Sequence, residues 1–467
     1  MSQASVAYSA ALLGTWIAAR AIRNHQVRTA VYLVASWSFY VSLDFRFFPL
    51  LLGSSLFNYL FGRVIRRRPH LLLLWAGIVC NVLLLGLFKY VPGLPALFPG
   101  SAFWAHVAGL ALPVGISFWT FQALSYLFDQ YRGDDVQPTI GEFCLYMGFA
   151  PTVISGPICR AGDLVPQFRA PFSGTWQTVC QGAQSVWVGI GMVTLARMLA
   201  TGYDGFGVGA AFGWRPSVLS TADVWIVLLG YGFQIFFDFA GYTRLVVGVA
   251  LMFGVHLPEN FDRPYLSRTP TEFWRRWHMS LSFWIRDYVF LPLAMTRREV
   301  WWRNAALVVS MVIFGLWHKA SWLFLLWGTY QGVLLLLHRS WQQRRRGRVS
   351  RVPRAVGAAG SWFVTFLAIN LSWILFRAAD LRQAGEMFRA ALGLSFGLHL
   401  PVGFTLLVLL MVGGYFASQW LAVRVEDASR GALSWMPMPA RFACYAAVFY
   451  LAVFRSAEPQ AFIYSQF

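Results

Sequence analysis

FWRRWHMSLSFWIRDYVFLPL, Phe273 to Leu293 with Glu272 just ahead of it, is aromatic and apolar enough to enter a bilayer, yet it carries Glu272, Arg275, Arg276, His278, Arg286 and Asp287. A charge at the centre of a lipid-facing helix costs about 2.5 to 3.5 kcal/mol, so its five formal charges would together cost more than about 10 kcal/mol. A plain lipid-facing span is excluded. An interfacial or re-entrant helix beside a water-filled cavity avoids the cost, because charge and irregular backbone survive at membrane depth when protein or water surrounds them. The plainer alternative is an amphipathic helix that snorkels its arginines to the headgroups.

The rest of the chain sets the same scene. Of 467 residues, 58% are hydrophobic and 12% charged, against about 25% charged in a soluble protein. A soluble globular fold is excluded, and at about 20 residues per crossing the chain has material for roughly 10 to 12 crossings. The expected fold is an all-α polytopic membrane protein with about 11 transmembrane helices plus re-entrant or interfacial helices, read as a single membrane-embedded domain over 1–467. The net charge of +19 comes largely from arginine blocks between apolar runs, such as Arg63 to Arg68 and Arg344 to Arg354. These read as cytoplasmic anchors under the positive-inside rule, with membrane lipids as the partner and no nucleic acid. No basic n-region precedes the first apolar stretch, which is expected to stay as a helix. The cysteines Cys80, Cys144, Cys159, Cys180 and Cys444 are scattered without metal-type spacing, so no metal is expected.

Polar side chains recur at helical spacing inside apolar runs. Tyr231, Gln234, Asp238 and Tyr242 share one face, as do Gln122, Ser125, Asp129 and Arg132; Asn370, Trp373 and Arg377 form a shorter stripe. Facing inward, such stripes make a wet interior; alternatively each merely holds helices together by hydrogen bonds. His318 stands in FGLWHKASWLFLLWGTYQG, Phe314 to Gly332, and the next residue, Lys319, is one of only two lysines, the other being Lys89. A lone histidine in an apolar helix is either a hydrogen-bonded core residue or a general base. Walker-type loops, HExxH and GxSxG elbows are absent from the sequence. Acid–base chemistry at histidine without a metal is the chemistry these residues offer.

At these residues the chain resembles the membrane-bound O-acyltransferases (MBOAT), in the bacterial branch that includes alginate O-acetyltransferase. The matching stretches are LPVGISFWTFQALSYLFDQYRG (Leu112 to Gly133), ISGPICR (Ile154 to Arg160), LPENFDRPYL (Leu257 to Leu266), the two histidine motifs, NLSWILFRAADL (Asn370 to Leu381) and FIYSQF (Phe462 to Phe467). The resemblance implies helices around a central funnel open to both membrane faces. It makes His318 the catalytic residue with His278 in support. Arg275, Arg276, Trp277, Arg286, Asp287, Lys319, Asp238, Gln234 and Asp129 would line the cavity or hold the donor. No cofactor is held; the donor substrate is acetyl-CoA, another acyl-CoA or a carrier-protein thioester at the cytoplasmic face. Acetyl would pass toward hydroxyls of an extracytoplasmic polysaccharide through a secreted or periplasmic partner protein, across the bacterial inner membrane.

In the C-terminal tail, 457–467, Tyr464 matches an acyl-accepting tyrosine of envelope acylation systems. An aromatic interfacial anchor is the plainer reading of that tail. Departures from the family pattern stand at Lys319, where glycine is usual, and at Thr243 and Arg244, where Ser-Asp is usual. D-alanyl transfer to teichoic acid is the rival within the family, and a proton-coupled transporter the rival outside it.

Overall fold

In a computed structural model, residues 3–91, 112–202, 205–345 and 353–424 are described. Among them helices follow one another with no strand; the only sheet-like pairing is an isolated antiparallel bridge between Phe261 and Trp277. Among the described residues seven helical stretches are long and apolar enough to cross a membrane: His25–Arg67, Leu71–Lys89, Trp176–Thr201, Thr221–Met252, Val300–His318, Arg354–Arg377 and Val402–Gln419. The chain is an all-α, multi-pass membrane protein. The apolar run at 440–455, Cys444, the tail 457–467 and Tyr464 lie outside the described residues.

Several apolar runs resolve differently from a one-run, one-helix reading. The runs at 29–43 and 47–62 become nearly continuous, because only the short Phe45–Phe47 turn separates His25–Asp44 from Phe48–Arg67. The run at 141–158 breaks into Ile140–Gly148 and Ala150–Val153, with extended backbone at Phe149 and Pro151 at the start of the second helix. The charged segment breaks further, into Pro270–Arg276, Met279–Ile285, a π-helical turn Arg286–Phe290 and Leu291–Met295. A seven-residue helix rises only about 10 Å, so none of these pieces crosses a bilayer.

The described residues fall into two compact units, one within Met1–Val186 and Leu245–Glu259, the other within Trp187–Arg244 and Asn260–Phe467. In the first, Gln122 and Ser125 are buried, and Tyr146 donates its hydroxyl to the Gln122 carbonyl at 3.0 Å and lies 3.4 Å from the Ser125 hydroxyl. That part of the stripe fastens helices together. Asp129 is half-buried farther along the same helix. Asn58 and Asn81 exchange amide hydrogen bonds at 3.1 and 2.8 Å, which satisfies both side chains in an apolar setting. A capping box at Thr139 and Glu142 starts Ile140–Gly148, and Glu142 also takes two bonds from Arg169, at 2.7 and 2.8 Å. The second unit holds both histidine motifs.

Candidate active site

The site is built on a helical hairpin. Val300–His318 and Trp322–Arg345 are joined by a turn of three residues and pack through glycines. A Cβ on Gly332 would stand 2.9 Å from the Val308 Cα, and one on Gly328 would stand 2.8 Å from the Val312 Cα; Gly315 faces Gly328 from the other helix. GTYQG, Gly328 to Gly332, is therefore a small-xxx-small seam that lets two backbones approach. His318 is the last residue of the first helix and is 2% exposed. Five aromatic rings enclose it: Trp317 at 4.6 Å, Phe376 at 5.2 Å, Phe314 at 5.3 Å, Trp327 at 5.8 Å and Phe324 at 6.1 Å between centroids. Lys319 turns to extended backbone and is exposed, so the neighbours in sequence part company in space.

His278 is positioned by an unusual turn. It separates Pro270–Arg276 from Met279–Ile285 and adopts φ 42°, ψ 55°, a left-handed conformation that few side chains accept and histidine accepts more readily than most. Asn260 pins this turn. Its backbone carbonyl accepts from Met279 N–H at 2.9 Å and its side-chain Oδ1 accepts from Ser280 N–H at 3.1 Å. The side chain thereby caps a helix that His278 does not cap itself. The Asp262 N–H bonded to the Arg276 carbonyl at 3.0 Å and the Phe261–Trp277 bridge complete the clasp. The imidazole is completely buried, edge-on to Phe239 at 4.6 Å. It lies between helices too short to span. Burial pushes its pKa down to about 3, because desolvation disfavours the cation, so the ring is neutral near pH 7.

The two motifs meet through aromatic rings. Trp274 of the first packs on Phe314 of the second at 5.1 Å and on Trp327 at 5.9 Å. Trp277 packs on Trp373 at 5.3 Å; Trp373 in turn touches Phe376, which borders His318. Asn370 and Trp373 are buried as the stripe requires, whereas Arg377 is exposed over Phe212.

The expected charges separate into two groups. Asp238 is buried, and Gln234 is half-buried on the same helix. Arg275 is exposed, Arg276 pairs with Glu272 at 2.8 Å, and Arg286 pairs with Asp287 at 2.6 Å. That last pair opens the π-helical turn, an irregularity common at functional sites. The segment's five charges thus include two ion pairs, which lowers the cost that ruled out a lipid-facing span.

Sequence reasoning passed over Asn260, although LPENFDRPYL contains it, and over the GTYQG seam, whose spacing was legible. It counted arginine, tryptophan and backbone N–H groups of the two motifs as candidate oxyanion donors without singling out Trp274 or Trp327, and it passed over Phe376, which read as ordinary aromatic filling. Among the described residues no three of His, Cys, Asp and Glu come together as metal ligands.

The chain is thus a multi-pass helical membrane protein with two buried histidines on adjoining aromatic motifs. The chain belongs to MBOAT, the membrane-bound O-acyltransferase family, which residues 71–377 match, and is an O-acyltransferase. It is 34% identical over 381 residues to the probable alginate O-acetylase AlgI of Pseudomonas aeruginosa, covering 79% of this chain and 70% of that protein. It is 30% identical to the peptidoglycan O-acetyltransferase of Helicobacter pylori, over 78% of this chain and 73% of the other. The teichoic acid D-alanyltransferase of Streptococcus thermophilus is 31% identical over 56% of this chain and 68% of its own length.

Proposed function

We propose that this chain moves an acetyl group from a cytoplasmic thioester, acetyl-CoA or an acylated carrier protein, toward hydroxyls of an extracytoplasmic polysaccharide, from the bacterial inner membrane. The observation that carries the reading is His318: an imidazole at a helix end, walled by five rings, where the two motifs join. In this reading a neutral His318 takes the proton of an acceptor hydroxyl as its oxygen attacks the thioester carbonyl. The carbon–oxygen bond forms, the carbon–sulfur bond breaks, and the imidazolium returns the proton to the leaving thiolate. A close aromatic wall keeps bulk water from the reactive carbonyl, so hydrolysis does not compete. His278, neutral and fixed by the Asn260 turn, holds the neighbouring wall rather than carrying a proton.

The exposed guanidinium of Arg275 suits a donor phosphate, and Arg276, already paired with Glu272, borders it in sequence. Tyr464 serves as an acyl relay to a secreted or periplasmic partner protein, so Tyr464→Phe keeps the protein in the membrane but ends acceptor acetylation. Full transfer by that variant in cells would remove the relay.

Acetyl is preferred to D-alanyl because the O-acetylating relatives match about four-fifths of the chain and the D-alanyltransferase little more than half. The test is mass analysis of envelope polysaccharide from cells with and without the gene. Loss of ester-linked acetyl on deletion supports the reading. Unchanged acetyl with loss of D-alanine would move the protein to the other branch.

A further inference from the structure

Attack on a thioester carbonyl places negative charge on its oxygen. A site that excludes water must supply hydrogen-bond donors to hold that charge. Around His318 the side chains are aromatic, and only some of them can donate. Trp327 is 1% exposed and Trp274 is 8% exposed, and the Nε1 of each is buried with no acceptor among the described residues. Buried indole N–H groups ordinarily find a partner, and a buried donor left unpaired calls for an explanation. Half-buried indoles elsewhere in the same unit find one: Trp225, Trp302 and Trp362 donate to the carbonyls of Ala391, Leu293 and Tyr265 at 3.1, 2.8 and 2.9 Å. The buried Trp373 Nε1, reached from the imidazole through Phe376, also has no acceptor among the described residues.

Trp327 borders the histidine and Trp274 lies one ring away. The Trp327 ring lies 5.8 Å from the imidazole and nearly perpendicular to it, at 84°. Trp274 crosses Trp327 at 5.9 Å and 76°, and rests on Phe314, whose ring is 5.3 Å from the imidazole. One indole comes from each histidine motif, and both are held by rigid packing, so no reorganisation is needed when charge appears.

We propose that Trp327 and Trp274 are the oxyanion donors of the acyl transfer, their Nε1–H groups binding the thioester carbonyl oxygen and the tetrahedral oxyanion formed from it. The inference rests on the reading of His318 as the base. In the step, the acceptor hydroxyl gives its proton to His318 and its oxygen bonds to the carbonyl carbon. The former π electrons reside on the oxygen between the indoles. Collapse restores the carbonyl, expels the thiolate and returns the proton to it from His318, and the indoles keep their protons throughout.

The test replaces Trp327 with benzothienylalanine, in which sulfur stands where N–H was while the ring keeps its size and stacking; Trp327→Phe and the same replacement at Trp274 accompany it. Thiol release from acetyl-CoA is followed with the full chain in lipid nanodiscs, using an envelope extract from cells lacking the gene to supply the partner protein and the polysaccharide acceptor. The expected result is a fall in kcat of about 100- to 1,000-fold with KM for acetyl-CoA little changed and an unaltered melting temperature. Wild-type kcat in both benzothienylalanine proteins, with loss only in Trp327→Phe, would assign the indoles to packing and overturn the inference. His318→Ala separates the two levels. If it is inactive while the benzothienylalanine proteins are fully active, the oxyanion assignment alone fails; if it remains active, the base assignment fails and the inference with it.

Discussion

Alanine in place of Gly328 tests the geometry that holds His318. A Cβ there would stand 2.8 Å from the Val312 Cα and closer still to the Met311 carbonyl oxygen, where ordinary contact begins near 3.4 Å. Both neighbours are backbone, so no side chain can swing aside, and the two helices must part by at least about 0.6 Å. Overpacking of this kind costs about 1 to 3 kcal/mol. Met311 and Val312 lie within two turns of His318 on the same helix, so the displacement reaches the imidazole. A 1 Å error in a reacting group can cost about 100-fold, and the expected loss of kcat is therefore roughly 10- to 100-fold. The controls are Gly413→Ala and Gly414→Ala, where an added Cβ meets no atom of the described residues within 4 Å. There the better helix former should leave stability unchanged or raise it by about 0.5 to 1 kcal/mol. Thermal denaturation of the purified protein in detergent, with transfer rates on the same samples, reads both effects. Gly328→Ala that melts and turns over like wild type would refute the argument that this seam places the histidine.

Two further outcomes follow from named contacts. Asn260→Ala leaves the buried Ser280 N–H without its acceptor and should cost about 1 to 3 kcal/mol, with a loss of transfer because the His278 turn loosens; a melting temperature and rate equal to wild type would show that the backbone alone fixes the turn. At Glu142, outside the spanning helices, burial favours the neutral acid, but the Arg169 guanidinium and the Thr139 N–H outweigh it and hold the carboxyl below its ordinary pKa. That stabilisation is present above the unfolded value of about 4.3 and is lost as pH falls through the lower folded value. Arg169 is partly solvated, so the contribution is about 1 kcal/mol. The stability gap between wild type and Glu142→Gln should therefore close as the pH is lowered from 7 to 3, and a constant gap would remove the ion pair from the account.

Hydropathy made the fold class legible because lipid imposes the severest constraint on sequence: helices must satisfy their own backbone, and long apolar runs cannot be hidden. It made the breaks less legible. FWRRWHMSLSFWIRDYVFLPL reads as one amphipathic segment, yet a left-handed histidine and a π-helical turn divide it, and both depend on tertiary partners such as Asn260. His278 and His318 stood out as polar groups in apolar surroundings, and both are buried. Lys319 drew notice by its rarity, but adjacency in sequence says little about facing at a helix end, where the chain turns. Gln122 and Ser125 looked like a wet stripe and proved to be bonded to Tyr146, because polar side chains at helical spacing serve a helix seam as well as a cavity. The tryptophans of the two motifs stood among several candidate oxyanion donors, but Trp274 and Trp327 could not be singled out: aromatic residues make up 17% of the chain, and only the arrangement of partners separates an idle indole from a packed one.

The central claim, that the His318 imidazole moves the proton in acyl transfer, is tested most directly by one comparison. Wild type and His318→Ala, matched by melting temperature, are placed in envelope preparations from cells lacking the gene, which supply both the partner protein and the polysaccharide, and are given radiolabelled acetyl-CoA. The account requires label on the polysaccharide with the first protein and none above background with the second. Equal label from a folded His318→Ala protein would contradict it.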